Sequence, residues 1–112
     1  HYDSDDTKIR FQGDYVSKIG KDLDPETADG EWIGMCKVSG KSRLRFRDIL
    51  DKVIRDGTMR EPEGTYMPFL QECISSNLNM KSMPVDSSNW AEVDFQSDLE
   101  YARANISSIV GD

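Results

Sequence analysis

The stretch EWIGMCKVS, residues 31–39, narrows what this chain can fold into more than any other. Its centre, Trp32 to Cys36, is nearly unbroken apolar sequence, the pattern of a strand covered on both faces rather than one with a wet side. Such a strand needs neighbours in its sheet and helices above and below it. The rest of the 112 residues offers one hairpin, one edge-like strand and three amphipathic helices. That is too little to bury it. The chain therefore reads as one piece of a larger α/β sheet, or as a sheet completed by a second chain, and the acidic start HYDSDD does not resemble the natural beginning of a domain.

The other elements follow from local patterns. Gly13 and Asp14 form a glycine-led turn pair between two β-rich runs, which predicts antiparallel strands over 7–12 and 15–20. An acidic loop, DLDPETADG, follows, with Pro25 and Gly30 as breakers. Ser42 caps a predicted helix in which Phe46, Ile49, Leu50, Val53 and Ile54 recur at helical spacing up to Gly57. Arg43, Arg45 and Arg47 fall in its first turns, where the helix dipole does not favour cations, so they are solvated or an anion lies near. Residues 58–64 read as a linker. Thr65 opens a second helix with Tyr66, Phe69, Leu70, Cys73 and Ile74 on one stripe and Pro68 in the first turn. MKSMPVD, residues 80–86, reads as a short edge strand because Pro84 has no N–H to donate. Trp90, Glu92 and Asp94 then alternate at an apparent strand end, and Asp94 occupies the N-cap of a final helix over about 95–110, with Phe95, Leu99, Ala102, Ile106 and Ile109 on its inner face.

Charge and composition exclude several classes. With 21 acids against 14 bases the net charge is -7, and that field repels phosphate backbones, so no nucleic-acid partner is expected. No run approaches the ~20 apolar residues of a membrane span, and the N-terminus lacks the pattern of a signal peptide. A cytoplasmic protein with no membrane partner is expected. A mean hydropathy of -0.64 is polar, yet the aromatic and β-branched content is that of a folded domain. Cys36 and Cys73 are expected to be buried, reduced thiols, and the single His removes the commonest zinc arrangements.

KIGKDLDPETADGEWIGMCKVS, followed some fifty residues later by PVDSSNWAEVDFQSDLEYARANI, resembles the C-terminal half of nucleotidyltransferases of the sugar-phosphate, phosphocholine or phosphonate cytidylyltransferase type, within the MobA-like NTP transferase superfamily. In that family a Lys follows the hairpin, a GE-x-x-G strand crosses the sheet, and a W-x-(D/E)-(I/V)-D-x-x-x-D-L element starts the final helix. The resemblance spans residues 7–110. It implies an α/β fold, the C-terminal part of a three-layer α/β/α, Rossmann-like nucleotide-diphospho-sugar-transferase architecture. Residues 1–112 would then be a single unit, the acceptor-binding and metal-completing half of the domain. The implied reaction moves a nucleotidyl group, CMP from CTP, to a small phosphate or phosphonate acceptor with Mg²⁺. By the same resemblance Asp94 is a catalytic metal ligand, with Glu92 as a supporting ligand. Lys21 is the cation at the acceptor phosphate, with Lys18 beside it, and Glu31 lies by the acceptor pocket. The family's glycine-rich loop and its second metal-binding acid do not precede His1, so the chain is expected to need an N-terminal half, or another chain, as partner.

The chemistry suits those residue types. Joining a phosphate to a nucleotide brings two anions together, so the reaction needs Mg²⁺ and a Lys or Arg to offset charge, with little covalent help. Mg²⁺ takes one or two carboxylates and fills its remaining positions with water and phosphate. Each residue also has a plainer reading. Asp94 caps the last helix, Trp90 packs in a core rather than stacking on substrate, and Lys18 and Lys21 are solvated strand residues. Glu31 needs a partner, which is a substrate, Lys37 or Arg45. The alternative function is a non-catalytic α+β interaction module that pairs with itself, as a homo-oligomer, or with another chain.

Overall fold

The computed structural model describes residues 2–57 and 66–111, so the predicted linker at 58–64 and the Thr65 helix start lie outside the described residues. The chain divides into two compact units, His1–Ser82 and Met83–Asp112. The first is a mixed α/β unit. Strand β1 (Lys8–Gln12) pairs antiparallel with β2 (Tyr15–Gly20) on one edge and with the short β3 (Gly30–Glu31) on the other, giving the order β2-β1-β3. The predicted hairpin is present, turned at Gly13 with φ 61°, where a side chain would be strained. Its register runs Lys8–Gly20, Ile9–Ile19 and Arg10–Lys18, then shifts so that Phe11 faces Val16. Ser17 is the extra residue of this bulge, and its hydroxyl donates to the Arg10 carbonyl at 3.1 Å.

Helices α1 (Arg43–Arg55) and α2 (Met67–Ser75) supply the rest of the core. Ile9, Val16 and Ile19 from the hairpin meet Ile49 and Val53 from α1 and Phe69, Leu70 and Cys73 from α2, all buried. Phe46 and Phe69 pack edge to face with centroids 4.8 Å apart. Ile54, placed on the inner stripe by spacing, is instead 56% exposed. Helix α2 ends in a Schellman turn: Leu78 N–H donates to Cys73 O at 3.0 Å and Asn77 N–H to Ile74 O at 3.0 Å, with Asn77 in the left-handed region at φ 59°. Arg45 reaches from the first turns of α1 to the carbonyls of Ser76 and Asn77, where the dipole of α2 favours a cation. That contact accounts for one of the three arginines that looked misplaced at the start of α1.

Two expected strands are absent. After Glu31, Trp32 still donates its N–H to Thr7 O at 2.8 Å, but Gly34 at φ 84° turns the chain away, and residues 34–41 run irregular and exposed. The apolar run lacks the reason to extend, since the edge of β1 is its only ladder among the described residues and serves it for two residues. Met35 is accordingly 69% exposed, and Cys36 is exposed rather than buried. At 80–86 only Lys81 bridges Tyr15, while Val16 N–H donates to Met80 O at 2.8 Å; Met83 beyond it is exposed. Pro84 cannot extend that ladder.

The second unit holds a 3₁₀ turn, Ser87–Asn89, then α3 (Gln96–Ala104) and α4 (Ile106–Val110). The expected single helix is interrupted at Asn105, whose side-chain amide donates to Tyr101 O at 2.8 Å and so competes with the backbone ladder. The N-cap is Phe95 rather than Asp94, and residues 90–95 form no strand.

Candidate functional site

Of the residues singled out in the sequence, Lys18, Lys21 and Glu31 lie in the first unit and Trp90, Glu92 and Asp94 in the second. Strand register brings the first group into relation. Lys8 pairs across to both Gly20 and Glu31, and Arg10 to Lys18. Cross-strand partners and residues two apart share a face, so Lys8, Arg10, Lys18 and Glu31 all belong to the face opposite Ile9 and Ile19. Directly opposed like charges repel, and Arg10 and Lys18 are both exposed on this face, which also carries the Glu31 carboxylate. Arg10 was missed in the sequence; its signal is the alternation K-I-R, which places two cations on one side of β1.

Lys21 follows β2 and donates to Asp5 Oδ1 at 3.1 Å. The turn carrying Asp5 is held from below by Lys8, which is fully buried and donates from Nζ to the carbonyls of Asp6 at 2.7 Å, Ser4 at 2.9 Å and Asp3 at 3.4 Å. Three acceptors use the donor capacity of the ammonium and offset the cost of its desolvation. Gly20, opposite Lys8, presents no side chain; a Cβ there would collide with the Asp22 carboxylate. Sequence reasoning gave residues 1–6 no role; the lysine in a strand directly after DSDD was the available sign.

In the second unit Trp90 is half-buried and follows the 3₁₀ turn, while Glu92 is exposed in irregular chain and Asp94 is exposed in the bend before α3. Helix α3 is capped by Asp98, whose Oδ2 accepts from Phe95 N–H at 2.8 Å and Asp94 N–H at 3.1 Å. The Asp94 carboxylate therefore does not serve as the cap. Among the described residues no three His, Cys, Asp or Glu side chains are grouped as metal ligands. Asp94 and Glu92 nonetheless fit Mg²⁺ in kind, being hard, hydrated carboxylates of the number the ion ordinarily takes from protein.

The chain is similar to a nucleotidyltransferase: it is 31% identical over 98 residues to the CTP:phosphoglutamine cytidylyltransferase of Campylobacter jejuni, a match covering 82% of this chain and 38% of that protein. The chain thus spans well under half the length of this curated relative. No protein-family model matches the sequence, and no solved structure matches it. Among the described residues no helix is long and apolar enough to cross a membrane.

Proposed function

We propose that this chain is the acceptor-binding and metal-completing part of a cytidylyltransferase, built on the larger Rossmann-like α/β/α sheet that its apolar residues 32–36 anticipate. The observation that carries the reading is the 31% identity to a cytidylyltransferase across most of the chain. In this reading Arg10, Lys18 and Lys21 attract the phosphate or phosphonate of a small acceptor, and phosphoglutamine is the first acceptor to try. The like-charged Arg10–Lys18 pair and the exposed Lys21 supply the field that draws the anion in, with Asp5 holding Lys21 until it arrives. Asp94, aided by Glu92, would hold Mg²⁺, which supplies charge neutralisation at the nucleotide phosphates. Trp90 stacks against substrate and Glu31 stands at the acceptor's edge.

Asp94→Asn in the complete enzyme tests the assignment. Because Asp98 forms the cap, the substitution leaves the melting temperature nearly unchanged, while turnover with CTP and Mg²⁺ falls about 10²–10³-fold, the usual scale for losing one charge-stabilising group. Full turnover in this variant would remove the metal role. The alternative, a non-catalytic module that pairs with another chain or with itself, draws on the exposed Met35, Val38 and Leu44. It predicts concentration-dependent sedimentation and no turnover in any combination.

A further inference from the structure

Lys8 is a buried cation that the proposed transfer does not use, and the turn it holds carries an acid onto a cation that the transfer does use. The turn is closed by its own hydrogen bonds: Asp6 N–H donates to Asp3 O at 3.2 Å, and Asp3 N–H donates to Asp6 Oδ2 at 2.7 Å. Lys8 Nζ then locks it to β1 through the carbonyls of Asp3, Ser4 and Asp6. With Lys8 0% exposed, lifting the turn away would strand a buried ammonium without acceptors. Asp5 sits between the anchored carbonyls of Ser4 and Asp6.

From there its Oδ1 accepts from Lys21 Nζ at 3.1 Å, as an oxygen of a phosphate would. In an ordinary surface ion pair both partners must be ordered, which cancels much of the attraction. Here the backbone around Asp5 is fixed in advance by the buried Lys8, and its short side chain has little freedom left to lose. The Lys21 and Asp5 side chains are 55% and 91% exposed, so a dissolved anion reaches the ammonium without disturbing the core. It meets a carboxylate already in place.

We propose that the Asp3–Asp6 turn is an autoinhibitory strap: Asp5 competes with an incoming phosphate or phosphonate for Lys21, and Lys8 is the positioning residue that keeps the competitor in place. The inference rests on the assignment of Lys21 to the acceptor's anion. An anion then binds by exchange, releasing Asp5, and the anchorage at Lys8 returns the carboxylate when the anion leaves. The test is a ¹H–¹⁵N NMR titration of the 112-residue chain with inorganic phosphate at low salt, with no nucleotide or metal present. Phosphate shifts the amide signals of Lys21 and of Asp3–Asp6 together and saturably. Asp5→Asn tightens phosphate binding about two- to fivefold, the scale of one exposed ion pair, and the gain fades in about 0.5 M salt. Asp14→Asn, which removes the same charge at the far end of β2, leaves the affinity unchanged. Lys8→Met frees the turn and also tightens binding, against the loss of a positive charge, and adds nothing to Asp5→Asn in the double variant. A merely structural role for Lys8 predicts the opposite sign. Asp5→Asn, wholly on the surface, decides even where Lys8→Met disturbs the hairpin. If Lys21→Ala abolishes phosphate binding while Asp5→Asn changes nothing, or gains no more than Asp14→Asn, the strap is overturned and the assignment of Lys21 stands. Phosphate binding that survives Lys21→Ala, or no saturable shift at all, overturns both.

Discussion

The two units of the chain are held by different forces. His1–Ser82 closes a core from three sources, hairpin, α1 and α2, with eight apolar residues buried. Among the described residues of Met83–Asp112 none is buried, and Met83, Val93, Phe95, Tyr101, Ile106 and Val110 are all exposed, Phe95 at 74%. Its order comes from short-range hydrogen bonds: Asp86 to Ser88, Asp98 to the start of α3, Asn105 back to Tyr101. Helices of nine and five residues fall below the length at which isolated helices persist in water. An apolar stripe becomes a core only where several elements bring their stripes to one place. The acids proposed to meet the metal thus lie on the less self-sufficient unit, as expected of segments ordered by what they bind.

The largest expected effect tests this contrast directly. Phe69→Ala removes a buried ring and its edge-to-face contact with Phe46, and costs about 3–5 kcal/mol. Leu99→Ala, at a half-buried apolar position of α3, costs under about 1 kcal/mol, because the side chain is only partly covered. Urea unfolding of both variants measures the difference. A Leu99→Ala penalty equal to that of Phe69→Ala would mean that the second unit has a core of its own.

The thiols sharpen the contrast at smaller scale. Burial pushes Cys73 up to about 11, helped by the neighbouring Cys36 and Glu72, whereas Cys36 is exposed. At pH 8 a thiol reagent should modify one cysteine quickly in the native chain and two after unfolding. Because the folded value lies above the ordinary 9.0, the stability owed to the buried neutral thiol is complete below pH 9 and is lost as pH rises towards 11. Cys73→Ala flattens that alkaline limb of the stability curve; an unchanged limb would place the pH dependence elsewhere.

These differences track what was legible in the sequence. The hairpin was, since Gly13-Asp14 and its flanking β-rich runs act within a dozen residues, and so were α1 and α2, whose stripes repeat at 3.6. The apolar run at 32–36 signalled burial without saying what would cover it, and among the described residues nothing takes Met35 and Cys36 in. Lys8 left only an indirect sign, the DSDD run before it, because its burial depends on a turn folding back from residues 3–6. Of the candidate site, Lys18 and Glu31 were named correctly as strand residues, but their shared face, and Arg10 opposite Lys18, needed the register, which the bulge at Ser17 ends directly afterwards. Asp94 and Asp98 were both visible as acids near a helix start; which of them caps was decided by a one-residue difference in where α3 begins.

The smallest effect probes how local the order of the second unit is. The Asp86 carboxylate caps the 3₁₀ turn, accepting from the Ser88 hydroxyl at 2.6 Å and the Ser88 N–H at 2.8 Å. The hydroxyl first, and the backbone N–H second, hold its pKa below the ordinary 3.8. A depressed folded value means that the stabilisation is present above pH 3.8 and is lost as pH falls through the lower folded value. Ser88→Ala removes the larger cause and leaves the smaller, so Asp86 should titrate higher than in the parent chain yet still below 3.8, as followed by carboxyl ¹³C shifts. Signals from β1, β2 and α1 should not move, since the hydrogen bonds of Asp86 go to Ser88 and Asn89. A shift of the hairpin signals in step with Asp86 would show that the second unit is ordered by the first rather than by its own hydrogen bonds, and the contrast between the two units would fail at its weakest point.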